Sequence, residues 1–255
     1  MSGSESGRTH RENIFYEIHT GLPREGAGGN EHTRRAWEML GPLTQPRILD
    51  IGCGPGVQTI ELARLSSGHV IGLDNNPPYI EELQQKIAGA GLEERVEAVE
   101  GSMFALPWPE GSFDVIWAEG SIYVIGFERG LREWREWLRP GGYLAVSELS
   151  WLRTDPPREL REHWNREYPA LTTIAANIAL IDAAGYRRIG YFTLPEDAWW
   201  DDYYRPLEAR LAEMRSRYAD DPEALEVIDA DQYEIDLYRE FSDWYGEVFF
   251  VMQHD

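Results

Sequence analysis

The sequence predicts an α/β domain built on a mostly parallel sheet, and three observations carry that prediction. Short apolar runs alternate with segments of helical periodicity through the first part of the chain. The first run, RILDI (47–51), opens directly into a turn holding Gly52, Gly54 and Gly56. The second, HVIGLD (69–74), ends on Asp74, about twenty residues beyond that turn. Such alternation gives parallel strands joined by right-handed crossovers. At 255 residues and 42% apolar content, the chain is long enough for one such domain and a cap.

In chain order, residues 1–12 are polar and read as disordered. Asn13 to His19 forms a short helix, and Gly21 to Gly29 a loop. Asn30 caps a helix that runs to Leu40 and stops at Gly41-Pro42. After the glycine turn, Val57, Ile60 and Ala63 recur every third residue, which starts a helix. Pro78 to Gly89 is a helix, Arg95 to Gly101 a third strand and Phe113 to Ala118 a fourth. Leu131, Trp134 and Leu138 share one face of a helix over 128–139, which Pro140-Gly141-Gly142 ends. Tyr143 to Leu149 is a fifth strand, Thr172 to Ala184 a helix closed by Gly185, and Tyr186 to Leu194 a sixth strand. The stretch 195–245 is too long for a hairpin loop and reads as two helices. One covers 202–218; the other starts at the Asp221-Pro222 cap. Glu247 to Gln253 is the last strand. The expected organisation is a single domain over 1–255, with a leader (1–44), a core (45–150) and helical insertions at 151–171 and 195–245 that cap the site.

The glycine turn is where a ligand belongs. Glycines let the backbone turn sharply and let a ligand approach closer than a Cβ allows. The helix start beyond them offers unpaired N–H groups and a positive dipole end. Asp74 stands where nucleotide-binding α/β units keep an acid for ribose hydroxyls. A dinucleotide fold spaces its glycines G-x-G-x-x-G to admit a pyrophosphate. Here the spacing is G-x-G-x-G, and Asp50 precedes it, which suits a cationic ligand better. As a set, DIGCGPG (50–56), Asp74 and LRPGG (138–142) resemble the class I S-adenosylmethionine-dependent methyltransferases over about residues 45–150. The stretch EGSIYVIGFERG (119–130) is similar to bacterial small-molecule enzymes of that class.

The resemblance implies a Rossmann-like sheet of seven strands, mostly parallel, whose last hairpin is antiparallel. It implies a leader folded over the cofactor, S-adenosyl-L-methionine as that cofactor and S-adenosyl-L-homocysteine as its product. It assigns Asp50 and the backbone of Gly52, Cys53, Gly54 and Gly56 to the methionyl end, and both ribose hydroxyls to Asp74. Asn75 would lie beside the adenine. Where the family often has an acid after the third strand, this chain has Gly101, Ser102 and Met103 instead, a hydroxyl and an apolar face. Glu119, just past the fourth strand, would touch the cofactor or the substrate side.

On the acceptor side, Tyr123 is the candidate for orienting a substrate, and Glu148 and Trp151 end the fifth strand facing the same cleft. The insertions bring further aromatics, among them Trp199 and Trp200. Rings with acids around them hold a cationic or flat apolar substrate; packing of the cap onto the sheet is the commoner fate of such rings. In-line displacement mainly needs an aligned nucleophile. Where the acceptor must lose a proton early, Tyr123, Glu119 and Glu148 are the candidate bases.

A formal charge of −21 argues against a nucleic-acid backbone or an anionic membrane as partner. The NPPY of 76–79 matches a motif of enzymes that methylate flipped bases, but it follows the second strand, not the fourth. The one cysteine, Cys53, excludes an internal disulfide, and no His pair has metal-ligand spacing, so no metal is expected. With no long apolar run, a cytoplasmic location follows. The expected activity is methyl transfer from S-adenosylmethionine to a small molecule. A catalytically idle protein that binds the same nucleoside and a nicotinamide-dependent oxidoreductase are the alternatives; the glycine spacing disfavours the second.

Overall fold

The computed structural model describes residues 9–255. Two helices, α1 (His10–His19) and α2 (Asn30–Glu38), precede the sheet. The core then runs β1 (Arg47–Ile51), α3 (Val57–Leu65), β2 (His69–Asp74), α4 (Pro77–Ala90), β3 (Val96–Glu100), β4 (Phe113–Ala118), α5 (Phe127–Trp134) and β5 (Leu138–Trp151). The second part adds α6 (Arg158–Glu167), β6 (Thr172–Thr173), α7 (Ile174–Ala183), β7 (Tyr186–Thr193), α8 (Asp197–Trp199), α9 (Arg205–Arg217), α10 (Pro222–Phe241) and β8 (Tyr245–His254).

The strands lie in the order β3-β2-β1-β4-β5-β8-β7; β8 pairs antiparallel with β5 and β7, and the other pairings are parallel. The sheet is Rossmann-like and mostly parallel, with its antiparallel pairings at the end. It has eight strands, one more than the seven expected, because two-residue β6 pairs with Ser150 and Trp151 at the tip of β5. Alternate residues of each strand feed opposite faces. Leu49, Ile71 and Ile116 pack under α5 and α7, while Ile48, Val70 and Val115 pack under α2, α3 and α4.

Three boundaries move for physical reasons. The stretch read as disordered divides: residues 1–8 lie outside the described residues, while Thr9 caps α1 through a reciprocal capping box with Glu12. The helix expected over 128–139 stops at Trp134, and Leu138 already pairs with Phe113 in β5. Leu138 is buried either way, so its apolar spacing cannot distinguish helix from strand. Pro140-Gly141-Gly142 lies inside β5, where the register jumps from Phe113↔Leu138 to Val115↔Tyr143. The α7 helix begins at Ile174, because Thr172 and Thr173 are in β6 and the Thr173 hydroxyl accepts from Ala176 N at 3.2 Å.

A third apolar cluster lies beyond the ends of β5 and β8, with Tyr245 of β8 among its members. Ile14, Ile18 and Leu22 of the N-terminal segment interlock there with Trp164, Trp199, Tyr203, Leu211 and Tyr238 from the insertions. Arg210 Nη1 donates to the carbonyls of Glu17 and Thr20 at 3.2 and 3.3 Å, and the Tyr218 hydroxyl donates to Glu17 at 2.6 Å. The leader is therefore bound to α9 and the turn after it.

Candidate functional site

One cavity of about 570 Å³ opens at the C-terminal ends of β1, β2 and β4 and runs beneath α1 and the insertions. That volume lies in the range of sites that enclose drug-sized ligands.

Its first end is built from backbone. Gly52, Gly54 and Gly56 all have positive φ, at 71°, 52° and 83°. A Cβ on Gly52 would stand 2.4 Å from Ser121 Cβ, and one on Gly56 2.3 Å from Leu83 Cδ1. At Gly54 the nearest atom would be 3.8 Å away, so the loop there faces open space that a side chain would fill. The Gly52 and Cys53 N–H groups donate to Leu73 O at 2.8 and 3.0 Å, which locks the loop to β2. Asp74 Oδ2 accepts from Gly54 N and Oδ1 from Asn76 N, both at 2.9 Å. A carboxylate has about four acceptor sites, so these backbone donors leave it further capacity, and Asp74 lines the cavity. Burial raises the Asp74 pKa above the ordinary carboxylate value, against the pull of its backbone donors. Asn75, Gly101, Ser102 and Met103 form the adjoining wall.

Asp50 is placed differently from its sequence-expected role. It is fully buried beneath the loop, does not line the cavity, and accepts from Thr59 Oγ1 at 2.6 Å. Burial pushes its pKa up to about 7. The first turn of α3 thus hangs on Asp50, so the carboxylate acts on the loop from below. Cys53 is also buried, its thiol pressed toward Gly72, and burial lifts its pKa well above the ordinary value. An un-ionised thiol packed in this way is no nucleophile.

The other end is built from side chains. Glu148 near the tip of β5, Glu247 at the start of β8 and Glu234 on α10 line it, with Tyr123, Trp164, Tyr168, Trp199 and Tyr203. The Tyr168 hydroxyl donates to Glu148 Oε1 at 2.5 Å. Burial, with Glu247 adding to it, pushes the Glu148 carboxyl up to about 8. Burial likewise lifts Glu247 to about 7 and raises Glu234. His19 of α1 stands between Glu25 at 3.3 Å and Asp231 at 3.5 Å. Burial opposes its charge, but those two carboxylates outweigh burial and hold its pKa up to about 9.

Glu119 lies between the two ends, and its oxygens are committed. Oε2 takes Arg24 Nη2 at 2.5 Å; Oε1 takes Thr33 Oγ1 at 2.6 Å and Trp117 Nε1 at 2.9 Å. Arg24 and Glu119 side chains are only 6% and 4% exposed, so this buried pair pins the leader to the end of β4.

Two residues proposed from sequence stand away from the cavity. Trp151 packs edge-on against Tyr245, its cross-strand partner, with ring centres 6.3 Å apart. Trp200 turns outward, its ring against Tyr204 and Tyr238 and under the Arg239 guanidinium at 5.0 Å. Trp199, one position earlier on a helical backbone, projects inward and stacks on Tyr238 at 4.5 Å. Tyr123 is 54% exposed at the mouth, edge-on to Tyr168. Sequence reasoning missed Arg24, His19, Glu234 and Glu247. No motif marks them; each reaches the site from a remote segment, and only the capped N-terminal helix gave a local signal.

Comparison with known proteins agrees with this geometry. Residues 48–142 match the family model described as a methyltransferase domain. The chain is 33% identical over 122 residues to the methyltransferase GfsG of Streptomyces halstedii, covering 48% of this chain and 44% of that protein. It is 29% identical over 215 residues to the 27-O-demethylrifamycin SV methyltransferase of Amycolatopsis mediterranei, covering 83% and 77%. A crystal structure of an S-adenosylmethionine-dependent methyltransferase from Geobacter sulfurreducens in complex with S-adenosyl-L-homocysteine superposes with a TM-score of 0.81 at 18% identity, covering 95% of this chain and 98% of that one. The chain spans between a third and a half of the length of several curated relatives it matches. Residues 48–142 thus match a methyltransferase-domain model, and the chain shares its fold with S-adenosylmethionine-dependent methyltransferases of known structure.

Proposed function

We propose that this chain is a methyltransferase that binds S-adenosyl-L-methionine at the glycine-turn end of the cavity and methylates a small molecule seated at the other end. The observation that carries the reading is the continuity of that space: Gly54 and Asp74 line one end, Glu148 and Trp199 the other, with no wall between. When bound, the sulfonium supplies an electrophilic methyl carbon.

The chain's own residues do the rest. Asp74 accepts the ribose hydroxyls with the capacity its backbone donors leave over. Gly52, Cys53 and Gly54 present backbone to the methionyl end, with Asp50 fixing the loop through Thr59. Asn75, Gly101, Ser102 and Met103 flank the base. Glu119 holds the leader through Arg24 and so closes the cavity, a role that leaves it unsuited to proton transfer. The described part of the leader, residues 9–44, acts as a lid, and the insertions 151–171 and 195–245 as a cap, within one domain. Exclusion of water under them strengthens every charge interaction inside. Glu148, raised by burial into the range of a neutral-pH base, takes the proton where the acceptor must lose one. Tyr123 orients the acceptor from the mouth.

The antiparallel β8 between β5 and β7 supports this reading over a nicotinamide dehydrogenase, whose sheet is doubly wound and parallel. The charge of −21 supports a small acceptor over nucleic acid. Among the described residues, no helix is long and apolar enough to cross a membrane.

The test is calorimetric titration of the purified chain with S-adenosyl-L-homocysteine, followed by an acceptor screen for its release from S-adenosyl-L-methionine. Saturable binding with turnover is expected. Tight NADH binding with none of the homocysteine product would overturn the assignment, and binding without turnover across amines, phenols, thiols and carboxylates would favour the idle alternative.

A further inference from the structure

We propose that the methyl acceptor carries a basic nitrogen, seated as an ammonium among Glu148, Glu247 and Glu234. The inference deepens the reading above and rests on it. Three independent observations lead to it.

The first is a set of buried acids without an ion-pair partner. Glu148 and Glu247 are 3% and 7% exposed, and Glu148, Glu234 and Glu247 all line the same cavity. Among the described residues, no Lys, Arg or His side chain pairs with any of them within 4.0 Å. The nearby cations form their ion pairs elsewhere, Arg24 with Glu119 and His19 with Glu25 and Asp231; the His19 charge also reaches Glu234, and Glu148 and Glu247 have no such neighbour. Buried carboxylates need a partner charge or must give up their own. A cationic ligand supplies the first; an anionic acceptor would worsen the imbalance.

The second is an unused acceptor. Glu148 Oε1 is satisfied by Tyr168, whereas Oε2, buried at the cavity wall, has no hydrogen-bond partner among the described residues. An ammonium has three N–H donors to offer it and its neighbours.

The third is the lining. Trp164, Tyr168, Trp199 and Tyr203 surround the same end and present rings that attract an organic cation. No group of three His, Cys, Asp or Glu among the described residues is arranged to hold a metal ion, which favours an organic cation over an inorganic one.

The chemistry then balances. The Glu148 carboxylate takes one proton from the bound ammonium and becomes a carboxylic acid. The freed nitrogen lone pair forms the new C–N bond as the C–S bond breaks, and that bonding pair stays on sulfur, leaving a neutral thioether. The methylated nitrogen keeps the positive charge, still facing Glu247 and Glu234.

The experiment uses matched ligands on the full chain saturated with S-adenosyl-L-homocysteine. Calorimetry compares 2-phenylethylamine, 2-phenylethanol and phenylacetate, and the corresponding 2-naphthylethyl trio. The amine of each trio is expected to bind at least tenfold tighter than its alcohol, with the acid weakest. In Glu148→Gln and Glu247→Gln proteins that still bind S-adenosyl-L-homocysteine, the amine preference is expected to shrink at least fivefold. Should no amine bind better than its alcohol while the homocysteine product binds normally, the amine assignment is overturned and the methyltransferase reading stands. If that product itself does not bind, the parent reading has failed instead. A variant that does not fold leaves the wild-type comparison decisive.

Discussion

The two ends of the cavity are made in opposite ways. The glycine-turn end comes mainly from one stretch, residues 52–76, with a wall from 101–103, and largely from backbone: positive-φ glycines, N–H groups and one carboxylate held by them. The acceptor end draws on α1, β5, α6, α8, α10 and β8, and consists almost entirely of side chains. A site of backbone is rigid and tolerant of side-chain change elsewhere. A site of converging side chains depends on every segment that brings them together, and can change its ligand by single substitutions.

The largest expected effect attacks the link between the ends. Arg24→Ala leaves Glu119 buried with two neutral donors, and should cost roughly 3 kcal/mol of stability in denaturant unfolding. An unchanged midpoint would show that the pair does not hold the leader.

Asp74→Ala comes next and should be confined to the glycine-turn end. It is expected to weaken S-adenosyl-L-homocysteine binding by roughly 1–3 kcal/mol in calorimetry, the scale of charge-assisted hydrogen bonds. Equal affinity would remove Asp74 from the ribose role.

The acceptor end should show itself in pH dependence. An unfolded glutamic acid titrates near its usual value of 4.5, whereas folded Glu148 holds its proton to about 8. Folded protein therefore binds a proton that the unfolded chain has released, so this contribution is lost as pH rises toward 8. Glu247, at about 7, acts in the same sense. His19 ordinarily titrates at 6.5 and stays charged to about 9, so its contribution is complete below 6.5 and lost on passing 9. The melting temperature of the ligand-free chain should fall by several degrees between pH 5 and 9, and Glu148→Gln should flatten the part below 8. A flat wild-type profile over that interval would contradict the placement of these groups.

The smallest effect separates adjacent rings. Trp199→Ala should raise the acceptor KM by about tenfold or more, whereas Trp200→Ala should change it less than about twofold, since only the first lines the cavity. Equal shifts in KM would show that the helix turn does not sort the pair.

Legibility in the sequence follows the same division. The strand–turn–helix at 47–65, Asp74 and the parallel order needed only local patterns: apolar runs, glycine spacing and element alternation. The two-residue β6 lay below any period that could reveal it, and Leu138 fitted helix and strand equally. Trp151 and Trp200 looked like cavity residues because composition records that rings are present and not where they point. Asp50 was read as a ligand contact because its motif position is fixed, yet its carboxylate turns under the loop to Thr59.

What the sequence determined alone was the backbone half: where the chain turns, where positive φ is needed and which acid closes the second strand, since those depend on neighbours a few residues away. Tertiary structure decided the other half. It brought Arg24 to Glu119, His19 to Asp231, and Glu234 and Glu247 to the cavity that Tyr123 also lines, across separations of 95 residues and more. Burial then set the charge of those groups, and burial is a property of the folded whole that no single stretch of sequence contains.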